Sequence, residues 1–98
     1  MENQDVIQEL WSVIQDRKKN PKKGSYTNTL LSDENKIFRK LREELAEIEE
    51  AVKAGRLKGS EKDSLTWEVS DLLYHLFVLL AAEGVELDDV FKELKRRR

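Results

Sequence analysis

The run LLYHLFVLLAA, Leu72 to Ala82, constrains the fold more than any other stretch. It is the longest apolar run in the chain, it is interrupted by His75, and it is too short to span a bilayer. Read together with the WEVSD segment before it, it is apolar on nearly every side of a helix, so that helix belongs in a core. The alternation of apolar and polar residues that marks a strand is missing, and the helical period is present throughout. The expected fold is all-α, an antiparallel bundle of about four helices.

The punctuation agrees with this. A first helix is expected from about Asp5 to Arg17, capped by Asp5, with Val6, Ile7, Leu10, Trp11 and Ile14 as its apolar stripe. KKNPKKGSYT, Lys18 to Thr27, reads as a basic, turn-rich loop, and NTLLSD as a short helical turn. A second helix is expected from about Glu34 to Ala54, capped by Asp33 or Ser32 and ended by Gly55. A third is expected from about Glu61 to Glu83, stopping at Gly84. A fourth is expected from about Asp88 to the end, its terminal arginines suiting the negative end of a helix dipole. No internal repeat or interdomain linker is visible, so residues 1–98 read as one domain.

The charges narrow the partners. Eighteen basic and 20 acidic residues leave a net charge of −2, which argues against a general nucleic-acid binder. The absence of cysteine excludes disulfides, thiol nucleophiles and cysteine-ligated zinc, and fits a reducing compartment. MENQDVIQELW lacks the basic-then-apolar layout of a signal peptide. A soluble, cytoplasmic protein with no membrane partner is expected.

LREELAEIEEA, Leu41 to Ala51, carries five glutamates in eleven residues. On a helix, like charges three and four apart weaken it by roughly 0.2–0.5 kcal/mol per pair, unless something positive faces them. Helical projection puts Ile37, Leu41, Leu45, Ile48 and Val52 on one stripe. Glu44 falls at the stripe's edge, between Ile37 and Ala51, with Glu47 one step further round. Glu49, Glu50 and Lys53 lie on the far side, where water is the simple partner.

The third helix holds Glu68 and Asp71 on one face, with His75 four residues beyond Asp71. An isolated carboxylate inside an apolar helix is costly unless it is paired or binds a metal. Antiparallel packing of the second and third helices would gather Glu44, Glu47, Glu68 and Asp71 around one point. An all-oxygen set favours magnesium or manganese over zinc or copper. The Glu-x-x-His pair of di-iron bundles is absent. Simple i,i+4 pairing of Glu43 and Glu44 with Arg39 and Lys40 is the competing account of the second helix. It does not account for Glu68 and Asp71.

These residues resemble a known family. EELAE followed by EVSD is similar to the E-E-x-x-E … E-x-x-D pattern of the MazG-type all-α nucleotide pyrophosphohydrolases. NPKKGSYTNTLL, KIFRKLREELAE and EVSDLLYHLFVLLAAEGVELDDVFKELKRR resemble the phosphoribosyl-ATP pyrophosphatase branch, from about Leu10 onward. Arg42 stands where that branch often has a small residue, and LAE replaces a more usual ATE; neither touches a proposed ligand. No part of the chain resembles the cyclohydrolase fused to some relatives, so a stand-alone domain is expected.

The resemblance implies magnesium, with manganese as a substitute, held by Glu44, Glu47, Glu68 and Asp71. It implies hydrolysis of 1-(5-phosphoribosyl)-ATP to 1-(5-phosphoribosyl)-AMP and pyrophosphate, the second step of histidine biosynthesis. Glu43 or Glu47 is the expected proton acceptor. Lys23, Ser25, Tyr26, Thr27, Lys40 and His75 are the expected substrate contacts, Lys40 alternatively pairing with Glu44 and His75 alternatively serving as a core histidine. A homodimer or larger assembly is expected, because short helices cannot cover an apolar third helix. Two readings compete: a house-cleaning pyrophosphatase for dUTP-like nucleotides, and a non-catalytic helical dimer.

Overall fold

The computed structural model describes residues 2–98, with side chains from Asp5 onward. Its helices are α1 (Glu2–Lys19), α2 (Tyr26–Leu31), α3 (Glu34–Lys53), α4 (Leu65–Glu83) and α5 (Leu87–Arg97), with no strand among the described residues. The expected all-α bundle is present, with a fifth, six-residue helix, α2, where a single turn was expected.

Four boundaries differ from expectation. The helix α1 starts at Glu2, so Asp5 lies inside it rather than capping it. It also runs on to Lys19 and stops just before Pro21, since a residue preceding proline is pushed out of the helical region. At the start of α2, the Ser25 side chain accepts from the Asn28 N–H at 3.2 Å, so Tyr26 and Thr27 belong to a helix rather than a loop. The fourth boundary is the start of α4, which begins at Leu65, not Glu61. Asp63 has φ of 71°, which ends any helical run through 61–63, and buried Ser64 accepts from the Trp67 N–H at 3.1 Å. By contrast α3 follows expectation: Asp33 accepts from the Lys36 N–H at 3.2 Å, and Gly55 takes the left-handed conformation just past its end.

The axis of the fold is α4, which packs on α1, α2 and α3. Ile14, Leu30, Ile37 and Val78 are fully buried around it, each worth about 1.5–3 kcal/mol. Trp11 and Phe77 meet edge to face, with ring centroids 6.1 Å apart. Lys18 of α1 donates to the Ala81 carbonyl at 2.6 Å, serving the negative end of α4.

The pair α3–α4 forms the broadest interface and runs antiparallel: Glu34 meets Glu83 at one end and Glu47 meets Glu68 toward the other. The faces differ from expectation in two respects. Leu45 and Val52 do not enter the core; they stand exposed with Phe38 on the outer side of α3. Nor is α4 buried all round, since Trp67, Val69, Leu73 and Leu76 reach solvent. The helices cover only one side of it. By length and composition alone α4 could cross a membrane, although its longest apolar run could not.

Candidate active site

Ser64 sets the start of α4 and so the position of its acids. Its carbonyl accepts the Glu68 N–H at 2.9 Å, placing Glu68 one turn inside the helix. Glu68 is only 2% exposed, while Asp71 on the next turn is half-buried. On α3, Glu44 is 5% exposed and lies on the buried line Ile37–Glu44–Ala51. It therefore sits at the centre of the inward face, not at its edge. Glu47, one turn on, is exposed at the rim, where its carboxyl group is within hydrogen-bonding reach of Glu68.

The two buried acids resist ionisation. Burial, then the charges of Asp71 and Glu47, push Glu44 up to about 7, with Lys40 opposing. Burial, then the hydrogen bond and charge of Glu47, push Glu68 up to about 7. Lys40 does not pair with Glu44; its Nζ lies 3.4 Å from Glu43, with Lys40 half-buried and Glu43 exposed.

His75 is the one basic group that reaches the buried acids among the described residues. Its Nδ1 lies 2.8 Å from Glu44 Oε2 and 2.8 Å from the Asp71 carbonyl oxygen. A carbonyl can only accept, so Nδ1 carries the proton and donates. The Tyr26 hydroxyl, 2.9 Å away, donates to Nε2. Burial lowers the affinity of His75 for a second proton and raises the Tyr26 phenol, in keeping with a neutral imidazole and an intact O–H. Among the described residues one buried side-chain atom remains unserved: Glu44 Oε1 has no hydrogen-bond partner. Such an atom costs about 1–3 kcal/mol unless something absent here meets it.

The chemistry of this donor set fits a divalent cation. The donors are all carboxylate oxygens, the charge is uncompensated, and one oxygen is left bare. No three of these side chains are already arranged around one point to hold a metal, among the described residues. Glu47 and Glu68 pair with each other, and Glu44 turns one oxygen to His75.

The expected substrate contacts divide. Lys23, Ser25, Tyr26 and Thr27 line an open pocket of about 360 Å³ with Val13, Arg17 and Lys22. Ser25 is also a helix cap, and the Thr27 hydroxyl is bonded to the Tyr74 hydroxyl. Tyr26 joins this pocket to the acids through His75. On the other side, a pocket of about 430 Å³ lined by Gly59, Ser60, Thr66, Trp67, Ser70 and Asp71 opens beside the cluster. Sequence reading missed Trp67 and Ser70. Their spacing around Glu68 and Asp71 was the available signal, and the loop that closes the pocket is not periodic.

Comparison with known proteins agrees with this fold. The family model described as phosphoribosyl-ATP pyrophosphohydrolase matches residues 7–98. A phosphoribosyl-ATP pyrophosphatase of Clostridium novyi (strain NT) is 44% identical over 99 residues, covering 100% of this chain and 86% of that protein. The histidine biosynthesis bifunctional protein HisIE of Thermoanaerobacter pseudethanolicus is 42% identical, covering 94% of this chain and 41% of that protein. The crystal structure of iMazG from Vibrio DAT 722 superposes with a TM-score of 0.66 at 25% identity, covering 92% of this chain and 96% of that one.

Proposed function

The chain belongs to the phosphoribosyl-ATP pyrophosphohydrolase family, and from that premise we propose that its α3–α4 acidic face is a magnesium site at which phosphoribosyl-ATP is cleaved. It is a hydrolase of histidine biosynthesis, releasing pyrophosphate and 1-(5-phosphoribosyl)-AMP. The observation that carries the metal reading is the bare, buried Glu44 Oε1 among four acids on facing helices.

Glu44, Glu47, Glu68 and Asp71 would hold magnesium, or manganese in its place. When bound, the cation supplies charge neutralisation on the phosphates and polarises the attacking water. The protein's own groups do the remainder. The rim carboxylates Glu43 and Glu47 are open to solvent and placed to accept the water's proton, Glu43 with Lys40 beside it. Lys23, with the hydroxyl-bearing Ser25, Tyr26 and Thr27, offers a phosphate or ribose group cationic and hydrogen-bonding partners. The same reading puts the enzyme in the cytoplasm.

A homodimer or larger assembly completes the fold. The surface of 7297 Å² exceeds the roughly 5,800 Å² expected of a compact 11.5 kDa monomer. The radius of gyration is 14.5 Å, against about 13 Å for a compact domain of this size. Exposed apolar side chains stand on both α3 (Phe38, Leu45, Val52) and α4 (Trp67, Val69, Leu73, Leu76).

The test is pyrophosphate release from phosphoribosyl-ATP and from dUTP, with and without magnesium. Magnesium-dependent release from phosphoribosyl-ATP alone is expected. Release from dUTP alone would move the chain to the house-cleaning branch. No release from either by folded protein would leave a helical dimer without this activity.

A further inference from the structure

The geometry points to His75 and Tyr26 as positioning residues that aim Glu44 Oε1 at the cation; this rests on the metal reading above. The argument is one of orientation. A glutamate side chain has three torsions, and its carboxylate can rotate so that either oxygen faces a ligand. Here one oxygen, Oε2, lies against His75 Nδ1 at 2.8 Å, and the other is left bare.

His75 is itself locked from both ends. Nδ1 gives its single proton to the Asp71 carbonyl at 2.8 Å, within the same helix, with Glu44 Oε2 equally close to it. Nε2 accepts from Tyr26, which α2 holds against the ring at a centroid distance of 5.9 Å. Tyr74 packs on the other ring edge at 5.0 Å. The imidazole cannot rotate without losing both hydrogen bonds, so the Glu44 carboxylate is fixed by a rigid neighbour rather than by solvent. Partners of this kind around a ligating group commonly contribute 10- to 100-fold to metal affinity. Tyr26 also lines the basic pocket, so the group that orients Glu44 is in contact with the surface where substrate phosphate or ribose is proposed to bind.

The test is manganese affinity by titration calorimetry or electron paramagnetic resonance, with circular dichroism to verify folding. His75→Asn keeps an N–H where Nδ1 stands, His75→Gln keeps a polar group toward Tyr26 only, and His75→Leu keeps neither. Manganese affinity is expected to fall about 10- to 100-fold in His75→Leu and His75→Gln, and to stay within about threefold of wild type in His75→Asn. Tyr26→Phe is expected to lose less than His75→Leu. Wild-type affinity in folded His75→Leu, or equal losses in His75→Asn and His75→Gln, would overturn the positioning role. If His75→Leu does not fold, the Asn and Gln pair decides. A wild-type protein that binds no manganese would overturn the metal reading and this inference together, whereas normal wild-type binding with insensitive variants would overturn this inference alone.

Discussion

His75 Nδ1 stands 2.8 Å from Glu44 Oε2, across the α3–α4 interface, and each residue is only 5% exposed. Two groups that resist charging thus meet in the core. This contact divides the Glu44 carboxylate into a served oxygen and a bare one, and the behaviour of the acidic face follows from it.

Glu68→Gln is expected to separate activity from stability. It keeps the shape but removes a ligand, so pyrophosphate release should fall by at least about 100-fold, given how strongly catalysis depends on the cation's charge. It also removes a buried carboxylate crowded by Glu47 and Asp71. Without metal at pH 8, the variant should be as stable as wild type or more so, a gain of about 1 kcal/mol raising Tm by about 4–8 °C. Full activity in this variant would contradict the four-carboxylate site.

The metal-free protein should lose stability as pH rises. Glu44 and Glu68 are held up to about 7, against 4.5 in a free chain. Between those values the folded state binds more protons than the unfolded, so stability falls with increasing pH. His75 acts with the opposite sign: burial lowers it, so its stabilising neutrality is lost as pH falls below its ordinary 6.5. From pH 6.5 to 8 the two acids outweigh the single histidine, so Tm from thermal unfolding should decline across that range. Magnesium should abolish the decline. A flat metal-free profile would contradict it.

Ser64→Ala should cost about 1–2 kcal/mol, typical of a lost N-cap. The hydroxyl serves two groups, accepting from the Trp67 N–H at 3.1 Å and donating to the Gly59 carbonyl at 3.3 Å. Chemical denaturation measures the loss. Because this cap fixes the first turn of α4, which holds Glu68, activity at saturating magnesium should fall less than affinity for magnesium.

Gly84→Ala should destabilise by about 1 kcal/mol, with activity per folded molecule unchanged. Gly84 sits at φ of 72°, and the Val85 N–H donates back to the Leu80 carbonyl at 2.9 Å, closing α4. Open space surrounds the position, so the penalty is conformational rather than steric. Denaturation midpoints compare the two proteins.

Leu45→Arg combined with Val52→Arg should shift sedimentation from dimer or larger to monomer at micromolar concentration. Both side chains are more than half exposed on the outer side of α3. Their replacement removes no core contact and introduces two charges where apolar surfaces would meet. A wild type that sediments only as monomer would remove the proposed assembly.

Much of the molecule was legible in its sequence. The helical period, the Asp33 cap, the stops at Gly55 and Gly84 and the two acid pairs all depend on residues within about four positions of one another, which is the reach of helical geometry. The same locality carried the selection of Glu44, Glu47, Glu68 and Asp71. What the tertiary structure decided lies beyond that reach. The sliding register of α3 against α4 sets which atom faces which, and it brought Glu44 to His75 and Glu47 to Glu68. The place of α2 brought Tyr26 to the same imidazole, 49 residues away. The limited cover of α3 and α4 left Leu45, Val52 and Leu73 outside. Pattern marks a residue as apolar or acidic; only packing against distant segments determines whether it meets a partner, meets water or is left bare.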